Sequence, residues 1–166
     1  MKIMHVADLH LDSPFKGMGI NQQSIQKLLI EAPYQAFDRC VSIAINQGVD
    51  VFIIVGDIYD ANRQTIYAQN FFMKQLARLD KAKIPVILSH GNHDYLKPDK
   101  KRPSYPDLVH VFNNEEVEHV DLTLKDQSTV RFYGFSYLQR WVKERMIQRF
   151  PKNPHMTDYT VGLLHG

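Results

Sequence analysis

Four short polar clusters in the chain carry side chains that bind divalent metal ions: Asp8 with His10, Asp57, Asn92 with His93, and His165. Each follows a short apolar run, at 2–7 (KIMHVA), 51–55 (VFIIV), 84–88 (IPVIL) and 159–164 (YTVGLL). In open α/β sheets, ligands bind in the crevice beyond the carboxyl ends of the strands, so groups at several strand ends converge although far apart in sequence. An extended i, i+2 pair such as Asp8 and His10 projects to one side with Cβ atoms roughly 6–7 Å apart, close enough to share an ion. Asp57 has two oxygens and can bridge two ions, which Asn92 cannot do with its one. Carboxylate, carboxamide and imidazole donors without sulfur suit Mn²⁺, Fe²⁺ or Zn²⁺ better than Ca²⁺ or copper. Singly, each cluster also reads as a cap, a turn or a surface histidine. Their ordered recurrence at successive strand ends points to a site.

The elements that must position these groups follow from periodicity. Strands apolar along their whole length predict a parallel sheet covered on both faces. Between Pro33 and Gln47, Phe37, Cys40, Val41, Ala44 and Ile45 recur at helical spacing, with Pro33 suited to a first turn and Gly48 to the residue after the end. Between Thr65 and Leu79, Phe72, Leu76 and Leu79 share a face. Residues 95–110 read as a loop, 117–124 with 129–135 as an antiparallel hairpin, and 139–150 as a short basic amphipathic helix. Arg140, Lys143 and Arg145 beside Trp141 offer a surface for a nucleic-acid strand, but the helical spacing of Trp141 with Val142 favours packing. The fold class is α/β.

At 166 residues the chain matches one ordinary domain, and 44% hydrophobic with 23% charged residues predicts a packed core rather than disorder. A formal net charge of +2 announces no nucleic-acid or membrane partner by bulk charge. The single cysteine, Cys40, excludes an internal disulfide and a thiolate zinc cluster. A charged amino terminus and the lack of any apolar run near ~20 residues lead to the expectation of a cytoplasmic protein with no membrane association.

Asp8-Leu9-His10, Gly56-Asp57-Ile58-Tyr59-Asp60, Gly91-Asn92-His93-Asp94 and the Leu-Leu-His-Gly at 163–166 resemble the ordered signatures of the calcineurin-like metallophosphoesterases. The stretch from Ala7 to Phe15 (ADLHLDSPF) is similar to their DNA-repair exonuclease branch of YhaO-type, SbcD-like nucleases. The resemblance implies a layered sandwich with helices on the outer faces of mixed β-sheet, and two divalent ions, with manganese expected. One ion would take Asp8, His10 and Asp57, the other Asp57, Asn92 and His165. His93 would donate a proton or stabilise charge at the leaving oxygen, with Asp94 as its orienter. Read from its own position, Asp60 either orients a ligand, the favoured reading, or caps the following segment. The implied substrate is DNA, with a protein partner in a repair complex and a homodimer as one assembly. Lys97, Lys100, Lys101 and Arg102 could contact phosphates but also read as a solvated loop. Two other readings stand beside the nuclease: a phosphoesterase on nucleotides or small phosphoesters, and a non-catalytic scaffold. The family's Gly-His-x-His signature does not follow Gly166, so residues 1–166 are expected to be the amino-terminal part of a longer nuclease domain, incomplete at the carboxyl end.

Overall fold

The structure is a computed structural model that describes residues 1–13, 23–60, 64–97, 103–152 and 157–166. Strands β1 (Ile3–Ala7), β2 (Val51–Val55), β3 (Val86–Ser89) and β4 (Val109–Val111) form a parallel sheet in that spatial order. Register decides where the polar clusters emerge. Ala7 lies opposite Val55, and Val55 opposite Ser89, so three strands finish level and their next residues leave one edge of the sheet together.

β2 is buried from end to end because both its faces are covered. Alternation along the strand divides its side chains between two cores. Phe52 and Ile54, with Val86 and Leu88, join Phe37, Val41, Phe72 and Leu76 from helices α1 (Gln23–Gln47) and α2 (Ile66–Lys81). Val51, Ile53, Val55 and Ile87 meet Leu124, Val130, Phe132 and Leu163 on the other side. Those partners come from a second sheet, β5 (Glu118–Thr123), β6 (Thr129–Gly134) and β7 (Tyr159–Gly162), in which β6 runs antiparallel to β5 and parallel to β7. The fold is therefore α/β with parallel and mixed sheets. Phe37 stacks on Phe72 with ring centroids 5.7 Å apart, tying the two helices. α2 starts where the Thr65 side chain accepts the Ala68 N–H, and places Ala68, Phe72, Leu76 and Leu79 on its buried face. Among the described residues no helix is long and apolar enough to cross a membrane.

Four expectations are corrected. α1 begins at Gln23 and carries Pro33 inside it. Proline removes one helical N–H, yet the helix runs on past it, with Leu28 and Ile30 mostly exposed and giving no apolar stripe to read. The expected loop at 95–110 contains the start of β4, a strand too short to show alternation. β7 does not extend the parallel sheet, whose described neighbours end at β4; it pairs with the free side of β6 instead. The expected helix at 139–150 is reduced to one 3₁₀ turn, Met146–Arg149, and Trp141 is 73% exposed rather than packed. Val142, Met146 and Phe150 of that segment join the small cluster around Phe135 and Tyr137, while Trp141 and Ile147 stay outside it.

His110 in β4 lies edge-on to Phe112, and its Nε2 is buried without a hydrogen-bond partner among the described residues. Burial lowers its pKa, outweighing the charge of Glu118. A depressed histidine pKa stabilises the fold above the ordinary value near 6.5, and that stability is lost as pH falls through the folded-state value. Denaturant midpoints at about pH 7 and about pH 5.5 should therefore differ more in the wild type than in His110→Gln; equal differences would show that His110 does not contribute.

Candidate metal centre

Beyond the level edge of the sheet, the chain following β1 keeps company with the chain following β2. The Asp8 N–H bonds the Gly56 carbonyl at 3.3 Å, that of His10 the Asp57 carbonyl at 2.9 Å, and that of Leu11 the Ile58 carbonyl at 2.9 Å. This pairing requires left-handed backbone at Asp8 (φ 53°), His10 (φ 44°) and Asp57 (φ 50°). Aspartate and histidine accept that region more readily than most residues with a Cβ, and such conformations gather at functional sites.

The side chains converge on Asp57, which is buried. Its Oδ2 lies 3.5 Å from His10 Nε2 and its Oδ1 lies 3.4 Å from His165 Nε2. Oδ1 also accepts the His93 N–H at 2.9 Å. Asp8 Oδ1 is 4.0 Å from His10 Nε2, and Asn92 Oδ1 is 3.1 Å from His165 Nε2. Two overlapping donor groups result, Asp8, Asp57 and His165 in one and His10, Asp57 and His93 in the other, with the donor atoms of each within 4.8 Å of one another. Asp57 is common to both. Its pKa is lowered: burial opposes ionisation, but the hydrogen bonds from His165 and from the His93 backbone, with the charges of those histidines, outweigh it. The same bond to Asp57 raises the pKa of His165 against the effect of burial. A carboxylate held ionised between imidazoles is a donor set for cations.

Two glycines make room for it. A Cβ on Gly91 would stand 2.3 Å from Asp57 Oδ1 and 2.8 Å from His165 Nε2; one on Gly56 would stand 2.2 Å from His165 Nδ1. The site thus depends on bare backbone at two points, and the donor set and its cradle fit divalent metal ions.

The supporting groups depart from expectation. Asp94 does not orient His93. Its carboxylate, with no side-chain exposure, accepts the N–H groups of Asp57 (3.1 Å), Ile58 (3.1 Å) and Gly91 (2.8 Å) and meets His90 Nδ1 at 3.0 Å. The carboxylate opposite His93 is that of Asp60, 3.5 Å from Nδ1, an ion-pair distance at which the ring N–H does not close a hydrogen bond. Two contributors carried no sequence expectation. His90 could have been suspected from its i, i+4 spacing with Asp94. The hydroxyl of Tyr137, which donates to the His165 carbonyl at 2.9 Å, had no local signal at all. Lys97 is exposed and lies 5.4 Å from the centre of the Tyr95 ring, while Lys100, Lys101 and Arg102 fall outside the described residues.

The ends of three strands, β1, β3 and β7, thus bring acidic, amide and imidazole groups around the carboxylate that follows β2. The profile of the calcineurin-like phosphoesterases matches residues 1–165. The chain belongs to this family. Over 166 residues it is 30% identical to the metallophosphoesterase YhaO of Bacillus subtilis, covering 100% of this chain and 40% of that protein. Over 169 residues it is 27% identical to the DNA double-strand break repair protein Mre11 of Sulfurisphaera tokodaii, covering 99% of this chain and 40% of the relative. Over 112 residues it is 28% identical to a component of the nuclease SbcCD of Bacillus subtilis, covering 66% of this chain and 25% of that component. The chain thus spans less than half the length of these relatives.

Adding one methyl group at Gly91 should push Asp57 and His165 apart from their common position. Gly91→Ala is expected to keep the far-ultraviolet spectrum of the wild type and to bind Mn²⁺ on the order of 10- to 100-fold more weakly by calorimetry. Wild-type affinity in this variant would mean that the cradle is not the metal site.

Proposed function

We propose that the chain is the catalytic part of a metal-dependent DNA nuclease that hydrolyses phosphodiester bonds. The observation that carries this reading is the buried carboxylate of Asp57, whose two oxygens face His10 on one side and His165 on the other. The names of two relatives, a DNA break-repair protein and a nuclease component, support DNA as substrate and a protein partner in a repair complex.

Asp8, His10 and Asp57 would hold one divalent ion, and Asp57, Asn92 and His165 the other, with manganese the favoured metal. When bound, such a pair supplies an acidified water nucleophile and neutralises charge on the attacking and leaving oxygens. The chain's own groups do the rest. Asp57, held ionised by its neighbours, offers one oxygen toward His10 and the other toward His165. The Asn92 amide oxygen fixes His165 from the other side. His93 turns Nδ1 toward Asp60, which leaves Nε2 to face the substrate. In the hydrolysis, the water oxygen forms a new bond to phosphorus while the bond to the leaving oxygen breaks, and His93 gives that oxygen its proton. The Asp60 carboxylate stabilises the imidazolium before the transfer, so His93 and Asp60 act as a pair.

The test uses linear duplex DNA and bis(p-nitrophenyl) phosphate in Mn²⁺. Asp57→Asn should lose metal stoichiometry and activity on both substrates. His93→Ala should keep the metal and slow turnover by about 10²–10⁴-fold, the usual worth of general acid catalysis. Parallel loss of metal in His93→Ala would make His93 a ligand, and hydrolysis of the small diester without any of DNA would overturn the nuclease reading.

A further inference from the structure

Trp141 is the only tryptophan of the chain, and 73% of it faces solvent. The residues around it explain how so large an apolar ring is held outside the core. Val142 and Met146 anchor the segment by packing against Phe135 and Tyr137, a cluster that also takes in Tyr95. Trp141 sits between the anchor and the solvent with the Arg140 guanidinium 5.4 Å from its ring centre.

The segment leaves the molecule at the metal centre. The Tyr137 N–H bonds the His90 carbonyl at 3.1 Å, and its carbonyl accepts the Leu96 N–H at 2.8 Å. Its hydroxyl holds the His165 carbonyl, and its ring lies edge-on to His165 with centroids 5.9 Å apart. The two chain segments that depart from this junction each carry a cation over an aromatic ring, Lys97 over Tyr95 and Arg140 over Trp141. Trp141 follows Tyr137 by four positions in the chain, a reach of at most roughly 13–14 Å. At about 3.4 Å per nucleotide along one strand, that is no more than about four nucleotides.

Charge selects the occupant. Lys97, Arg140, Lys143 and Arg145 are exposed, and among the described residues none has a carboxylate within ion-pair distance. The acid nearest in sequence, Glu144, is already engaged by Arg149. Cations with no carboxylate partner among the described residues, beside an exposed indole, match a polyanion that presents flat faces at regular intervals along its length, as a nucleic-acid strand does. Base-on-aromatic stacking with a basic groove is how proteins hold single strands without reading sequence.

We propose that Trp141 and Arg140 form a stacking platform for an unpaired DNA strand passing to or from the metal centre, with Lys97, Lys143 and Arg145 meeting its phosphates. The proposal rests on the nuclease reading and adds a preference for single-stranded or frayed DNA. A duplex hides its base faces and gains only the charge contacts.

The test requires no hydrolysis. In metal-free buffer with chelator, a fluorescein-labelled oligo(dT) is titrated with the protein and its anisotropy followed; in a second titration, unlabelled oligo(dT) is added while the emission of the sole tryptophan is read. Binding with quenching of Trp141 is expected. Trp141→Ala should weaken oligo(dT) binding on the order of 10- to 100-fold with little effect on a blunt duplex, while Trp141→Phe stays near wild type. Binding without quenching, or unchanged affinity in Trp141→Ala, overturns the platform and leaves the nuclease reading intact. Absence of binding to both single-stranded and duplex DNA overturns the two together. A tryptophan signal that changes with protein concentration alone assigns the surface to a second copy of the chain and overturns the platform.

Discussion

A buried carboxylate holds the site together. Asp94 has no exposed side-chain surface and faces four donors: the backbone N–H groups of Asp57, Ile58 and Gly91 and the imidazole of His90. Burying an unpaired charge is prohibitive, so the carboxylate is tolerable only with these bonds, and hydrogen bonds to charged groups are each worth about 1.5–3 kcal/mol. The donors belong to the segments following two different strands. Asp94 therefore clamps the end of β2 to the end of β3, and the position of Asp57 relative to Asn92 and His93 follows from that clamp.

The rest of the geometry descends from the same constraint. With β2 and β3 joined, the backbone after β1 pairs with that after β2 through the N–H groups of Asp8, His10 and Leu11, which brings Asp8 and His10 to one side of Asp57. His165 arrives on the other side from the second sheet, fixed by Tyr137 and by the bond from the Leu163 N–H to the Tyr133 carbonyl at 2.7 Å. Bare backbone at Gly56 and Gly91 lets the two approaches meet. Asp57 and His165 need little reorganisation when charge is added, since the His93 N–H and the Tyr137 hydroxyl already hold them.

Much of this was legible in the sequence, and the reason is local. Asp8, His10, Asp57, Asn92 and His165 each follow an apolar run, so strand ends and donor types could be read together. Helix α2 was legible because Phe72, Leu76 and Leu79 repeat on one face that the core covers. What could not be read depends on partners distant in the chain. The pairing of β7 with β6 is decided by which sheet edge is open, not by the residues of β7. The role of Asp94 is set by backbone groups of Asp57 and Ile58, which leave no mark on its own neighbourhood in the sequence. Trp141 kept the spacing of a packed residue, but the cluster around Phe135 takes Val142, Met146 and Phe150 from its segment and leaves the indole outside.

The central claim is that one carboxylate serves two metal ions while His93 stays outside their coordination. Because His93 also lies among the donors around His10 and Asp57, anomalous diffraction from crystals grown in Mn²⁺ tests it most directly. The account predicts two manganese peaks that both contact Asp57, one with Asp8 and His10 and the other with Asn92 and His165, and neither bonded to His93. A single peak, or a peak bonded to the His93 ring at about 2 Å, would contradict it.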